Sequence, residues 1–261
     1  MADGGVEVAV LGPVAVSGAA APFHRAAALD LAVYLSLHRR PVRHAEWSVA
    51  IWPDRAVAPS TVHATASDCR RALGRGRDGH PHLPPGPALC LRDTVTTDVG
   101  RFAAEAGTGD PLRVLRAMRL VRGPLFAGLG RADWAVLDGT ESRIESMVVG
   151  AALGAAGELV ERGRGTDAEW LVRRALRLSP YDERLYRMLL RATEAQGNRV
   201  GLRAAMEELR ALAGESPRPH RRTGPPGGAT DPADCLHPET IALYQRLLHG
   251  LPAAGGVVAR L

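Results

Sequence analysis

The chain has 261 residues, enough for two domains of ordinary size, and its 46% apolar content supplies cores built from Ala, Val and Leu, since aromatics are only 4%. All 33 basic residues are arginine, and a formal charge of +5 permits an anionic partner without requiring one. Three scattered cysteines, Cys69, Cys90 and Cys235, lack CxxC spacing and read as free thiols in a reducing compartment rather than as a disulfide framework.

The absence of lysine, with abundant Ala, Gly and Pro, is the mark of a GC-rich coding bias. The start MADGGVEVAVLG has no basic segment followed by a long apolar run, so no signal peptide is expected. No stretch reaches the apolar length of a membrane span, and the chain reads as soluble and cytoplasmic.

Val6, Val8 and Val10 alternate, and residues 14–16 repeat the pattern after Gly12-Pro13, which predicts a two-stranded sheet with a tight turn. Residues 25–38 place Leu29, Val33 and Leu37 on one face, a buried first helix that Pro41 ends. A second helix spans about 43–51, with Trp47 and Trp52 as core-packing aromatics. The third, Pro59–Leu73, has a thin apolar stripe of Val62, Ala66, Cys69 and Leu73. Ser60, Ala64, Ser67 and Arg71 point the other way, with Arg70 beside them. Strands at 82–84 and 88–91, bracketing Pro85-Gly86-Pro87, are expected to form a hairpin.

Beyond residue 98 the pattern is helical, with helices expected at 99–106, 111–121, 132–162, 167–178, 183–196, 200–212 and 238–249. The span 132–162 contains four glycines and fits either two helices or one kinked helix. Ala168, Val172, Ala175 and Pro180 follow the second half of a tetratricopeptide repeat, and a shift of 34 residues gives Leu202, Met206, Leu209 and Gly214. Residues 214–234 are rich in Pro, Gly and Arg and read as a mobile loop whose His220–Arg222 run is a solvated charge cluster; 252–261 read as a disordered tail.

No catalytic set emerges. GxSxG and HExxH are missing, and without lysine there is no P-loop. His80-Pro81-His82 with His63 lacks thiolate or carboxylate partners at ligand spacing, so neither a metal nor a cofactor is expected. Asp182-Glu183 sits at a helix start, where carboxylates cap and complement the dipole.

The order of strands, helices and hairpin, with the segments VLGPVAV, AVYLSLH, IWPD, STVHATASDCRRALG and DTVTTDVGRF, resembles the winged helix-turn-helix of the antibiotic regulatory protein family of actinobacteria. LSPYDERLYRMLLRATEAQGN and LHPETIALYQRLL resemble the helical activation domain that follows it in that family. The resemblance implies a mainly α protein: a winged helix-turn-helix with small β elements over 1–98, then an all-α, tetratricopeptide-like domain over 99–251. It also implies a DNA-binding transcriptional regulator of activator type, not an enzyme, that engages the major groove of double-stranded DNA. RNA polymerase or another regulator is the implied protein partner, and a homodimer the implied assembly.

By the same resemblance, Ser60, Thr61, Ala64, Thr65, Ser67 and Asp68 face the groove, Arg70 and Arg71 hold phosphates, and the wing over 84–92 offers Arg92 to a phosphate or the minor groove. Two departures stand out. Asp68 replaces the family's usual arginine, and PPGPALCL replaces its usual Gly-Tyr-x-Leu. Residues 1–98 carry ten arginines against nine acids, so a basic surface has to be local, with Arg39, Arg40, Arg43, Arg70, Arg71, Arg75 and Arg77 as candidates. These features keep open a second reading, a protein-interaction module with a degenerate winged helix, as in the cytosolic part of a membrane-anchored protein.

Overall fold

The computed structural model describes residues 5–130, 132–215 and 236–251. The protein is mainly α: a winged helix with small strands, then a helical unit.

Alternation makes the first strand, β1 (Val6–Ala9), because it turns Val6 and Val8 into the core and leaves Glu7 and Ala9 half-buried. β2 (Ala15–Ser17) pairs with it antiparallel, Val8 opposite Val16. The connection passes through Gly12 at φ 136, where a Cβ would lie 2.7 Å from that of Arg122. On its other edge β1 pairs parallel with β5 (Val95–Thr97), Val6 opposite Val95, giving the order β2-β1-β5. This parallel pairing joins residues some ninety positions apart, which local periodicity does not reveal.

Between these strands lie α1 (Ala26–His38), α2 (His44–Ile51) and α3 (Pro59–Leu73). α1 is buried from Ala28 through Leu35 except at Leu29, and it packs against both α2 and α3. Trp47 is fully buried, with Trp52 5.9 Å away between ring centroids, so this pair packs as the sequence predicts.

The expected hairpin of 82–84 with 88–91 does not form. β4 (Ala88–Leu89) pairs instead with β3 (Val42–Arg43), a strand the sequence reading did not predict. Residues 82–84 turn inward: His82 and Leu83 are buried, and the His82 carbonyl accepts from Arg92 N at 3.0 Å to close the loop. Prolines 84, 85 and 87 have no N–H to donate, which leaves a ladder across this loop without rungs.

The chain separates into two compact units, Met1–Thr108 with Arg119–Val148, and Gly109–Met118 with Val149–Leu261. This division differs from the expected boundary after residue 98, and named contacts explain the first unit's extent. Asp98 begins α4 (Asp98–Ala106); its buried carboxylate accepts from Val10 N (2.9 and 3.0 Å) and Leu11 N (2.9 Å). Burial raises its pKa, opposed by those N–H groups and by Arg122. Phe126 N donates to the Val10 carbonyl and Val14 N to that of Ala127. In α6 (Asp133–Leu137), Trp134 packs edge-on against Tyr34 at 4.9 Å, and Asp138 beyond it meets His38 Nε2 at 3.0 Å. The expected 132–162 span therefore resolves into two helices, α6 and α7 (Thr140–Glu161), divided at Gly139, φ 76.

In the second unit α5 (Pro111–Ala117) is capped by Asp110, with proline at its first position. It ends earlier than predicted because 118–120 tighten into a 3-10 turn. α8 (Gly165–Leu176), α9 (Glu183–Ala195), α10 (Arg199–Glu215) and α11 (Pro238–Gly250) pack each against the next, with α9 also touching α11. Ala168, Val172 and Ala175 are buried, as are their equivalents Leu202, Met206 and Leu209. A Cβ on Gly165 would lie 2.9 Å from the Ala192 carbonyl, which is how closely α8 and α9 approach. Asp182 caps α9 by accepting from Arg184 N at 2.9 Å, and Glu183 accepts from Thr240 Oγ1 at 2.7 Å, tying α11 down.

Gly214, expected to open the mobile loop, is still within α10. The rest of that loop beyond residue 215, Cys235 and the tail 252–261 lie outside the described residues. No helix among the described residues is long and apolar enough to cross a membrane.

Candidate nucleic-acid interface

α3 begins with Pro59 at its first position and ends at Gly74, whose φ of 78 is open to glycine. Arg70 and Arg71 occupy its last turn, where cations complement the helix dipole. Val62, Thr65, Ala66, Cys69, Ala72 and Leu73 are buried, and burial pushes the Cys69 thiol up to about 12.

The opposite face carries Ser60, His63, Ser67 and Arg71, all exposed, with Thr61, Ala64, Asp68 and Arg70 partly so. Helical spacing of three and four aligns Ser60, His63, Ser67 and Arg71 in one stripe. Thr65 is the correction here. At 1% exposure it belongs to the core, because it lies about one helical turn from Val62 and Cys69 on the inward side.

Asp68 is not an open carboxylate. Its Oδ2 lies 2.6 Å from Arg25 Nε and its Oδ1 accepts from Arg71 Nη1 at 2.9 Å, and the side chain is 16% exposed. Arg70 Nε donates to the Leu83 carbonyl at 2.9 Å and so ties the helix to the loop that follows it. Arg75 Nη1 donates to the Gly79 carbonyl at 2.7 Å. An open groove of about 790 Å³ runs along this end of α3, lined by Ser67, Arg70, Arg71, Arg75, Pro81 and Pro85, with Ala20 and Gly74. Guanidinium groups that spend one N–H on a protein acceptor keep others for a phosphate.

Other predicted cations are engaged elsewhere. Arg92 forms a two-pronged pair with Asp78, at 3.1 and 2.6 Å, rather than extending from a wing, and holds that carboxyl down to about 2. Arg39 donates to Asp93 at 2.7 Å and to the Val95 carbonyl, while Arg40 pairs with Glu46. Arg43 is exposed at the start of α2.

Two residues at this face were outside the DNA-facing set expected from the sequence. His63 sits at an outward position legible from its offset of three from Ser60, and its ring meets that of His44 at 5.3 Å. Partial burial, with His63 and Arg70 close by, lowers the His44 pKa. Arg25, 43 residues before its partner, carried no sequence signal. His82, weighed as half of a His-x-His pair, is buried with Nδ1 2.7 Å from Thr94 Oγ1. Among the described residues no group of three His, Cys, Asp or Glu is placed to hold a metal ion.

No protein-family model and no curated protein sequence matches the chain. Among solved structures it is similar to Mycobacterium tuberculosis EmbR in complex with a low affinity phosphopeptide, with a TM-score of 0.62 and 23% identity. This chain shares the EmbR fold. The match covers 95% of this chain and 66% of the EmbR chain, so a third of EmbR has no counterpart in it. EmbR and this chain are alike in backbone arrangement at low identity, and the chemistry of the α3 face has to be judged on its own residues.

Proposed function

We propose that the protein is a DNA-binding transcriptional regulator of activator type, belonging to the actinobacterial antibiotic regulatory protein family. The observation that carries this reading is the exposed stripe of α3, Ser60, His63, Ser67 and Arg71, running into a groove flanked by Arg70, Arg71 and Arg75. Hydroxyl and imidazole groups on such a face read base edges, while the guanidinium groups hold phosphates on either side of the major groove. Among the residues predicted from sequence, Ser60, Thr61, Ala64, Ser67, Arg70 and Arg71 remain on the docking face. Arg92 reaches DNA only after exchanging Asp78 for a phosphate. The helical unit serves homodimerisation or contact with RNA polymerase or another regulator, through the packed helices α8–α11.

The test is a titration of the full chain on duplex fragments selected from its source genome. Retention at low salt is expected, with log affinity falling linearly against log salt at about −0.9 per phosphate contact. Arg71→Ala with Arg75→Ala is expected to weaken binding about tenfold or more and to flatten that slope. Unchanged binding in this variant refutes the docking face.

The internal pairing of Arg39, Arg40 and Arg92 favours a second reading, a protein-interaction module whose winged helix no longer binds DNA. In that reading the chain is the cytosolic part of a larger, membrane-anchored protein. It predicts no retained duplex even at low salt, together with partner binding by the helical unit.

A further inference from the structure

Asp68 poses a problem for a DNA-reading helix, because a carboxylate on that face repels phosphates. The geometry answers it. Both carboxylate oxygens are occupied, one by Arg25 Nε at 2.6 Å and the other by Arg71 Nη1 at 2.9 Å. The carboxylate is 16% exposed, whereas the two arginine side chains are 53% and 65% exposed. The trio therefore presents two guanidinium groups outward with a net charge of +1. Arg25 is ion-paired with Asp68 through Nε and has both Nη groups beyond that contact; Arg71 donates from Nη1 and has Nη2 and Nε beyond it.

Arg25 lies immediately before α1, at its N-terminal cap position, and provides no side-chain cap there. Its guanidinium meets Asp68 on α3 instead, the carboxylate that also pairs with Arg71, and Arg71 lines the groove. The result is a further cation on the α3 face, one that does not come from α3.

We infer that Arg25 is a DNA-contacting residue and that Asp68 is a positioning residue, holding Arg25 and Arg71 as a two-pronged seat for one phosphodiester of the duplex. This rests on the DNA-binding reading above. The physical basis is preorganisation. A free arginine loses rotamer freedom when it is fixed on a phosphate, and one already held by a carboxylate has given up much of it beforehand. A phosphate approaching the outer N–H groups meets two cations before the enclosed anion.

The sign of one substitution separates this from simple electrostatics. Removing Asp68 raises the charge of the face by one, so unorganised charge predicts tighter binding after Asp68→Ala. The seat predicts the reverse. In fluorescence-anisotropy titrations of the full chain on a selected genomic duplex, Asp68→Ala and Asp68→Asn are each expected to weaken binding about fivefold or more. Arg25→Ala is expected to do the same and to lower the salt slope by about one. The double variant Arg25→Ala/Asp68→Ala is expected to lose less than the sum of the two single losses, since Asp68 acts in part through Arg25 and in part through Arg71. Asp68→Glu, which keeps the carboxylate, should recover part of the loss.

Arg25 is more than half exposed and outside the core, so its variant keeps the test sound if a substitution at 68 disturbs α3. A wild-type chain that binds while Arg25→Ala leaves affinity and slope unchanged, or while Asp68→Ala binds more tightly, overturns the seat alone. A wild-type chain that retains no duplex at low salt overturns the DNA-binding reading, and the seat with it.

Discussion

Asp30 makes the first unit's stability depend on pH in a direction opposite to that of most carboxylates. It lies on α1 at 5% exposure, and its Oδ1 has no hydrogen-bond partner among the described residues. Burial raises its carboxyl from 3.8 to about 6, partly offset by the Gly130 N–H. The unfolded chain gives up this proton near 3.8, whereas the folded chain keeps it until about pH 6. Between those values the folded state binds the extra proton, so stability falls as pH rises, and above pH 6 the loss is complete. A span of roughly two pH units at about 1.4 kcal/mol each amounts to about 3 kcal/mol. Asp30→Asn keeps the shape without the ionisation. Urea unfolding followed by the fluorescence of Trp47, Trp52 and Trp134, all in the first unit, reads the effect. Near pH 4 the two proteins should be nearly equal. Near pH 7.5 the variant should be more stable by up to about 3 kcal/mol, a midpoint shift of about 1 M or more at ordinary urea sensitivities. A wild-type chain at least as stable as Asp30→Asn near pH 7.5 would refute the reasoning.

Gly74→Ala should destabilise the first unit by about 1–3 kcal/mol, read by the same unfolding curves. The residue has φ 78, and its new Cβ would lie 2.4 Å from that of Ala20, whose N–H also caps the Ala72 carbonyl. Thr65→Ala should lower stability by about 1 kcal/mol through lost packing, yet leave the affinity for duplex within about twofold of wild type, since the side chain faces the core. A large loss of DNA affinity in a Thr65→Ala chain that melts normally would return this residue to the interface.

What the sequence could determine was whatever repeats within a few residues of itself. Period-two alternation specified β1 and β2, and the 3.6-residue stripe with Pro59 and Gly74 at its ends specified α3 to the residue. The 34-residue recurrence of Ala168, Val172 and Ala175 as Leu202, Met206 and Leu209 specified the packing of the helical unit. The outward residues Ser60, Ala64, Ser67 and Arg71 of α3 were legible for the same reason; Thr65 was set on that face by the family resemblance, whereas its spacing from Val62 and Cys69 turns it into the core.

Only the tertiary structure decided the pairings between distant positions. β5 adds to β1 in parallel, β4 joins β3 rather than its neighbour at 82–84, and Asp98 receives the N–H groups of Val10 and Leu11. Each joins segments with no fixed offset in the sequence, and each is chosen by which backbone donors and acceptors would otherwise be buried unpaired. The charge of the α3 face belongs to this second class. Residue types alone make Asp68 a repulsive carboxylate, and proximity to Arg25 makes it the anchor of two cations. Whether a charge helps or hinders a partner depends on what lies within about 3 Å of it, and that is a property of the folded chain.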